Sequence, residues 1–376
     1  MVSSLDFGKS IKAIFRRLLV LLVRLRIIKS ISEKVSFISE KQSWAIYWEG
    51  IGISKAVNQK YTTPIMVVTS KVHRVRSPII HFGSQYMWEI WRDLIPRTSK
   101  VVVNFFHGKP DDGDDVARHI LDFVKNSKRI DKIIVSNSIT YERLLSWGIE
   151  KDRLTKIFIG VDRSLFVQKD EKLNRAVRES IGFTSSDFVI GSFQKDGVGW
   201  GDGLESKLIK GPDILVQSLV EVSKSRKIKV LLIGPSRGYV TKKLTEFGVE
   251  FKYLQVNDYK EMPQFYNALD LYLITSREEG GPKGLIEALA SSVPIVSTPV
   301  GMSVDLLPKL RGCTVTETFN PLEIANSIIE KIDQPFKREF VHSWQKTIEQ
   351  VDFFSTGEEY LKYVYSSFDC SILEQC

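Results

Sequence analysis

Residues 271–301 read LYLITSREEGGPKGLIEALASSVPIVSTPVG, which spells a strand, a glycine loop, a helix and a second strand. The apolar runs 271–275 and 293–297 are continuous, as expected of strands buried on both faces of a parallel sheet. Between them Gly280, Gly281 and Pro282 open a helix whose first amides can receive an anion. Glu279 and Glu287 bracket this loop with seven residues between them. Glu287 falls about one and a half turns into the helix, on the side of Gly280 and Lys283, and is expected to face the loop mouth. An anion seat flanked by two carboxylates suits a ligand that carries a diphosphate and hydroxyl-rich rings. The bland alternative is a surface pair, with Lys283 and Glu287 bonded four residues apart in the weaker orientation.

Working outward, short apolar runs alternate with helical stretches, the pattern of parallel sheets covered by helices. The first series of expected strands is 44–48, 65–68, 79–82, 101–105, 132–135 and 155–159, with helices over 116–128 and 138–147. The pattern then restarts with strands at 188–193, 230–233, 251–254, 271–275, 293–297 and 314–315, and helices near 212–223, 239–247, 262–269 and 322–331. A chain of 376 residues with 43% hydrophobic content can bury two cores, so two doubly wound α/β domains facing across a cleft are the economical architecture. The expected boundaries are a basic amphipathic segment over 1–40, a first domain over 41–165, a second over 166–338, and a helical segment over 339–376 that returns toward the first domain. In such sheets ligands bind at the carboxyl ends of the strands.

Composition limits the chemistry. The three cysteines, Cys313, Cys370 and Cys376, have no metal-ligand spacing, and the five histidines never approach one another at such spacing, so neither a disulfide framework nor a structural metal is expected. The net charge of +8 is concentrated at the start: residues 9–29 hold seven basic and no acidic side chains among aliphatic ones. The longest uncharged run there, 18–23, is far short of the ~20 residues of a transmembrane span, and arginines continue past it, unlike a secretory signal. The favoured reading is a helix from Lys9 to Lys29 lying on an anionic inner membrane surface, hence a cytoplasmic, peripheral protein. The alternative is a helix that packs on the protein with its basic side in water. Nucleic acid is not an expected partner, because basic residues cluster only in this first segment, where aliphatic side chains accompany them.

Four further places carry candidate chemistry. Lys210 precedes Gly211 and Pro212 at a helix start, and Lys195 follows a strand; two such cations can neutralise a diphosphate and help it depart. Between them the loop 195–209 crowds glycine and aspartate, a length usually reserved for functional or disordered segments. His107 and Gly108 follow the strand VVVNFF at a ligand-facing strand end. The run DDGDD over 111–115 has a metal-like spacing, but an acidic cap before the next helix accounts for it.

These residues resemble the retaining glycosyltransferases of the GT-B fold, specifically glycosyltransferase family four. The resemblance spans about residues 101–301. VSNSITYERLLSWGIEKDRLTKIFIGVDRSLF, LIKGPDILVQSL, VLLIGPSRG and FYNALDLYLITSREEGGPKGLIEALASSVPIVSTPVG follow in the family's order and spacing. It implies transfer of a hexose-type sugar from a nucleotide-sugar donor with retained anomeric configuration, no bound metal and no cofactor besides that substrate. By the resemblance Glu279 contacts the donor sugar, Glu287 the ribose hydroxyls and Lys210 the diphosphate. The loop Gly281, Pro282 and Lys283 with the amides of Gly284 and Leu285 holds a phosphate, and the base rests near Gln255 and Val256. His107 matches the histidine beside the reacting carbon. Two departures stand out: Ser192 occupies a position where the family often has a basic residue, making Lys195 the candidate substitute, and the first-domain glycine loop is reduced to Gly50 and Gly52. The acceptor expected is a glycan or lipid-linked glycan in cell-surface polysaccharide synthesis. A catalytically silent nucleotide-sugar or glycan-binding scaffold at the membrane is the alternative.

Overall fold

The computed structural model describes residues 4–42, 44–336 and 338–368; Cys370, Cys376 and the end of the expected C-terminal segment lie outside the described residues. Two compact units emerge, one comprising the chain up to Val135, Arg143–Ile157 and the chain from Phe354 on, the other Ser136–Glu142 and Phe158–Phe353.

In the first unit β1 (Val35–Ile38), β2 (Met66–Thr69), β3 (Ile79–Phe82), β4 (Lys100–Asn104), β5 (Lys132–Val135) and β6 (Leu154–Lys156) form an all-parallel sheet in the order β2-β1-β3-β4-β5-β6. Helices α1 (Ser4–Arg24), α2 (Ala45–Asn58), α3 (Gln85–Trp91) and α4 (Asp114–Asn126) connect or cover these strands, and α5 (Ser138–Ser146) is divided between the two units, its first residues falling in the second. In the second unit β7 (Val189–Phe193), β8 (Lys229–Ile233), β9 (Phe251–Leu254), β10 (Leu271–Ile274), β11 (Ile295–Ser297) and β12 (Thr314–Val315) form a second parallel sheet, ordered β12-β11-β10-β7-β8-β9. It carries α6 (Glu171–Ser180), α7 (Pro212–Ser223), α8 (Gly238–Glu246), α9 (Met262–Asn267), α10 (Lys283–Ala290), α11 (Ser303–Leu306), α12 (Pro321–Asp333) and α13 (Gln345–Gln350); α14 (Phe353–Tyr363) leads back to the first unit. This is the GT-B architecture of two parallel α/β sheets. Among the described residues no helix is long and apolar enough to cross a membrane.

The core follows from the sequence pattern. Ile214, Leu215, Leu219 and Val222 of α7 recur at helical spacing and bury against Ile324, Ala325 and Ile328 of α12 and against Val230 and Leu232 of β8. Burying one such side chain contributes about 1.5–3 kcal/mol. Strand order reverses between β7 and β10, since β8 and β9 lie on one side and β11 and β12 on the other. The carboxyl ends of β7 and β10 therefore mark the switch point, where ligands bind in open α/β sheets.

Two expectations fail. The basic segment does not extend to residue 40, because Val35, Phe37 and Ile38 are buried in β1 inside the sheet. Residues 44–48 are no strand: Trp44 is the N-cap and 45–48 the first turn of α2, and Gly50 and Gly52 are buried helical residues rather than a ligand loop. Gly50 has a packing reason, since a Cβ there would sit 2.6 Å from the Phe37 ring. The expected C-terminal helical segment is helical over its described residues, in several pieces. It breaks at Val351–Phe353, where the Val161 amide donates to the Val351 carbonyl at 2.7 Å and the Phe353 amide donates back to Val161 at 3.1 Å.

Candidate functional site

The candidate site is built on the switch point of the second sheet. After β10 the chain turns through Thr275 to Pro282; after β7 it runs through Gln194 and a hairpin to Lys210 and α7. Gly211 joins these paths. Its φ of 62° is a left-handed conformation, and a Cβ on it would lie 1.8 Å from the Thr275 carbonyl oxygen, so only glycine permits this crossing. Around it the Thr275 hydroxyl donates to the Gly211 carbonyl at 3.0 Å. Arg277 clamps Asp213 through two hydrogen bonds at 2.7 and 2.6 Å, and its amide donates to the Ile209 carbonyl at 2.8 Å. Burial pushes the Asp213 carboxyl up, but the Arg277 guanidinium together with the Asp213 and Ile214 amides outweighs it and holds the group below its ordinary range.

This staple brings together two side chains 69 positions apart. Lys210 Nζ donates to Glu279 Oε1 at 2.6 Å, with the lysine side chain 21% and the glutamate 10% exposed. The Ser276 hydroxyl donates to the same oxygen at 2.9 Å. A half-buried cation and a carboxylate thus sit preorganised at the switch point. Lys207 adds a third cation to Lys195 and Lys210: burial, then Lys210 and Lys195, push its ammonium below the ordinary lysine range. Sequence reasoning passed over Lys207 because nothing in its spacing distinguishes it from a surface lysine. Lys195 is turned to its own loop, donating to the Gly197 carbonyl at 2.9 Å and lying over the Trp200 ring at 4.8 Å.

The loop 195–209 is ordered by a buried pair that sequence reading also missed. Arg237, within the quoted stretch VLLIGPSRG, donates to the carbonyls of Ser192 at 2.6 Å and Gln194 at 3.1 Å. Its Nε stands 3.0 Å from an Asp196 carboxylate oxygen, with both side chains withdrawn from solvent. The contact is an ion pair of indirect alignment, as neither group makes a well-directed hydrogen bond to the other. The cation missing at Ser192 is therefore present from another strand end, but sealed in protein where it serves the loop.

Glu287 departs from expectation. Rather than facing the loop mouth, its side chain is turned into packed protein, 4% exposed. The hydroxyls of Tyr259 and Tyr266 donate to its two oxygens, the latter at 2.7 Å. Burial raises its carboxyl above the ordinary range, opposed by Lys283 and the two tyrosines. The reason is steric: α10 is pressed so closely onto the tyrosine cluster that a Cβ on Gly284 would come within 2.1 Å of the Tyr272 hydroxyl. That approach rolls Glu287 inward. The Lys283 ammonium donates to the Gly160 carbonyl at 2.9 Å.

The glycine loop itself forms as expected. Pro282 is the N-cap of α10, Gly281 packs toward Met302 and Ile159, and the Gly280 carbonyl accepts from Asn137. The Leu285 amide, one of the two expected to hold a phosphate, is instead committed to the Pro282 carbonyl at 2.9 Å. Gly284 retains the first-turn position where an amide has no acceptor within its helix. At the end of edge strand β9, Gln255 is exposed and donates to the Tyr253 hydroxyl at 3.0 Å, with half-buried Val256 beside it. In the first unit His107 follows β4, half-buried, its carbonyl accepting from Gln85 at 3.0 Å. The acidic run 111–115 is used locally: Asp112 accepts from the Lys109 amide at 3.0 Å and Asp115 pairs with Arg118. A cavity lined by Asp187, Asp270, Lys331 and Phe336 opens at the amino ends of the second sheet's strands, away from the switch point.

Residues 203–334 match the family model described as glycosyl transferases group 1. Among curated proteins the chain is 24% identical over 233 residues to the D-inositol 3-phosphate glycosyltransferase of Corynebacterium aurimucosum, covering 57% of this chain and 51% of that protein. It is 24% identical over 161 residues to the lipopolysaccharide core biosynthesis mannosyltransferase LpsB of Rhizobium meliloti, covering 41% of this chain and 42% of that protein. The chain thus spans about half the length of these relatives or less. Among solved structures, Anabaena HepE in complex with UDP and glucose superposes with a TM-score of 0.72 at 16% identity, over 89% of this chain and 100% of that one. The structural likeness establishes the shared GT-B fold.

Proposed function

We propose that the chain is a retaining glycosyltransferase that moves a sugar from a nucleotide-sugar donor to a glycan or lipid-linked glycan acceptor. The observation that carries this reading is the Lys210–Glu279 pair at the switch point of the second sheet, inside the stretch that matches glycosyl transferases group 1. In this reading Lys210, with Lys207 and Lys195 nearby, neutralises the donor diphosphate without a metal, while the loop Gly281, Pro282 and Lys283 and the first-turn amide of Gly284 meet a phosphate oxygen. Glu279 accepts from sugar hydroxyls, and the base lies along Gln255 and Val256. The bond from the anomeric carbon to the phosphate oxygen breaks, its electron pair staying on the diphosphate. The acceptor hydroxyl attacks the same face, and its proton passes to the departing phosphate oxygen. Charge developing on that oxygen is stabilised by the lysines already in place. His107 is assigned beside the reacting carbon by resemblance and strand-end position.

Glu287 takes a different role from the one its spacing implied: bound by Tyr259 and Tyr266, it fixes α10 against the tyrosine cluster and so positions the glycine loop. A cell-surface glycan as product accords with the name of the Rhizobium relative, a lipopolysaccharide core enzyme. A thermal-shift screen of nucleotide sugars tests the donor, since a ligand at a hundred times its dissociation constant adds about 2.7 kcal/mol of apparent stability. Transfer that disappears in Glu279→Ala while donor binding persists supports catalysis. A parent protein that binds a donor yet never turns it over supports the scaffold alternative.

A further inference from the structure

The N-terminal helix packs with the opposite side from the one its charge pattern implies. Wound at about 100° per residue, the basic positions 12, 16, 17 and 24 share one broad side of α1, the side a surface helix would give to water. In the structure Val20 and Val23, centred on that side, are each only 5% exposed, and Arg16 lies over the Trp91 ring at 5.7 Å. The protein therefore holds α1 by the strip of Val20, Val23 and Arg16 that runs down the middle of this side, leaving Lys12, Arg17 and Arg24 exposed at its edges. Diametrically opposite, Ile11, Ile14, Phe15, Leu18 and Leu21 form an uninterrupted apolar arc, between 48% and 66% exposed. Exposed Lys12 borders the arc on one side, and exposed Arg17 and Arg24 border it on the other.

We infer that this outward arc of α1 docks flat on an anionic lipid surface. The arc supplies apolar depth, and the flanking cations sit at the height of headgroups. No aspartate or glutamate occurs between Phe7 and Ser32, so from Phe7 onward nothing on the helix opposes a negative surface; Asp6, in its first turn, lies before the apolar arc. At 21 residues α1 is ~30 Å long, and its amphipathic geometry is that of a helix lying in the interface plane. A second copy of this chain is the poorer occupant, because two identical arcs brought face to face would set cationic borders against each other. The inference goes beyond the sugar-transfer reading and does not depend on it.

Co-sedimentation of the full chain with lipid vesicles tests it. Vesicles of phosphatidylcholine with phosphatidylglycerol should capture the protein at least about tenfold better than phosphatidylcholine alone, since each basic residue near the surface contributes about fivefold. The difference should shrink as salt is raised. The pair Ile14→Glu and Leu18→Glu should lower binding to anionic vesicles by more than about tenfold, each buried side chain being worth at least that much. Both positions face outward, so far-ultraviolet circular dichroism and nucleoside diphosphate binding should stay unchanged. Should that pair fail to fold, Ile11→Ser with Phe15→Ser gives the same readout. Wild-type protein that ignores anionic vesicles, or binding indifferent to these substitutions, overturns the inference. So does a dimer in solution that the same substitutions dissolve.

Discussion

Replacing Lys210 by methionine separates the structural from the ligand-binding work of the Lys210–Glu279 pair. Removing one partner of a fully buried pair costs about 3–5 kcal/mol, because the other charge is left unpaired. Here Glu279 is 10% exposed and Lys210 21%, and the Ser276 hydroxyl still donates to the orphaned oxygen at 2.9 Å. The expected loss of stability is therefore smaller, about 1–3 kcal/mol by urea unfolding. Adding Glu279→Gln removes the orphaned charge and should recover about half of it. Donor binding should behave otherwise. A hydrogen bond to a charged group contributes about 1.5–3 kcal/mol, so Lys210→Met should weaken nucleoside diphosphate binding roughly ten- to hundredfold by calorimetry. The double variant should regain stability but not affinity. Affinity that recovers together with stability would refute the reasoning, because Lys210 would then act only through folding.

Three other outcomes follow from the geometry. Burial lowers the imidazole of His81 to about 4, while its ring nitrogens bond the Tyr365 hydroxyl at 2.7 Å and the Asn104 side chain at 2.8 Å; the unfolded chain takes up a proton near 6.5 and the folded one resists, so unfolding free energy should fall by about 3 kcal/mol as pH drops from 6.5 to 4, and a histidine-free variant should lose that slope. Glu287 is shifted in the other sense, its folded carboxyl raised, so the wild type loses stability as pH rises through and above the ordinary glutamate range; Glu287→Gln should be the more stable protein at neutral pH, with the advantage vanishing in acid, as urea titrations at two pH values will tell. Gly211→Ala meets both a left-handed φ and the Thr275 carbonyl at 1.8 Å, so a loss of at least about 2 kcal/mol in unfolding free energy is expected, with donor affinity falling because Lys210 moves.

Legibility in the sequence tracked the range of the interactions involved. The helix 212–223, the strand 251–254 and the unit from β10 to β11 were readable because proline, glycine and apolar runs act locally there. α2 was misread because Gly50 and Gly52 look like a loop, and what tolerates Gly50 in a helix is the Phe37 ring on a separate strand. β1 was hidden by its brevity and its serine, which bonds Ser77 at 2.7 Å. Within the candidate site, Lys210 and Glu279 were each legible as helix-start and loop residues, but their pairing depends on the Gly211 crossing and the Arg277–Asp213 clamp. The inward roll of Glu287 was not legible at all, since its partners Tyr259 and Tyr266 come from a different part of the chain and α10 reaches them only through the close approach at Gly284. Arg237 was equally opaque: its charge is matched by Asp196 from another loop.

The most direct measurement is a calorimetric comparison of nucleoside diphosphates with the corresponding monophosphates, made on the wild type and on Lys210→Met. The account predicts that the wild type favours the diphosphate by at least about tenfold, the worth of one charge-assisted hydrogen bond, and that this preference collapses in the variant. A wild type that binds neither form, or a preference that survives the loss of Lys210, would contradict it.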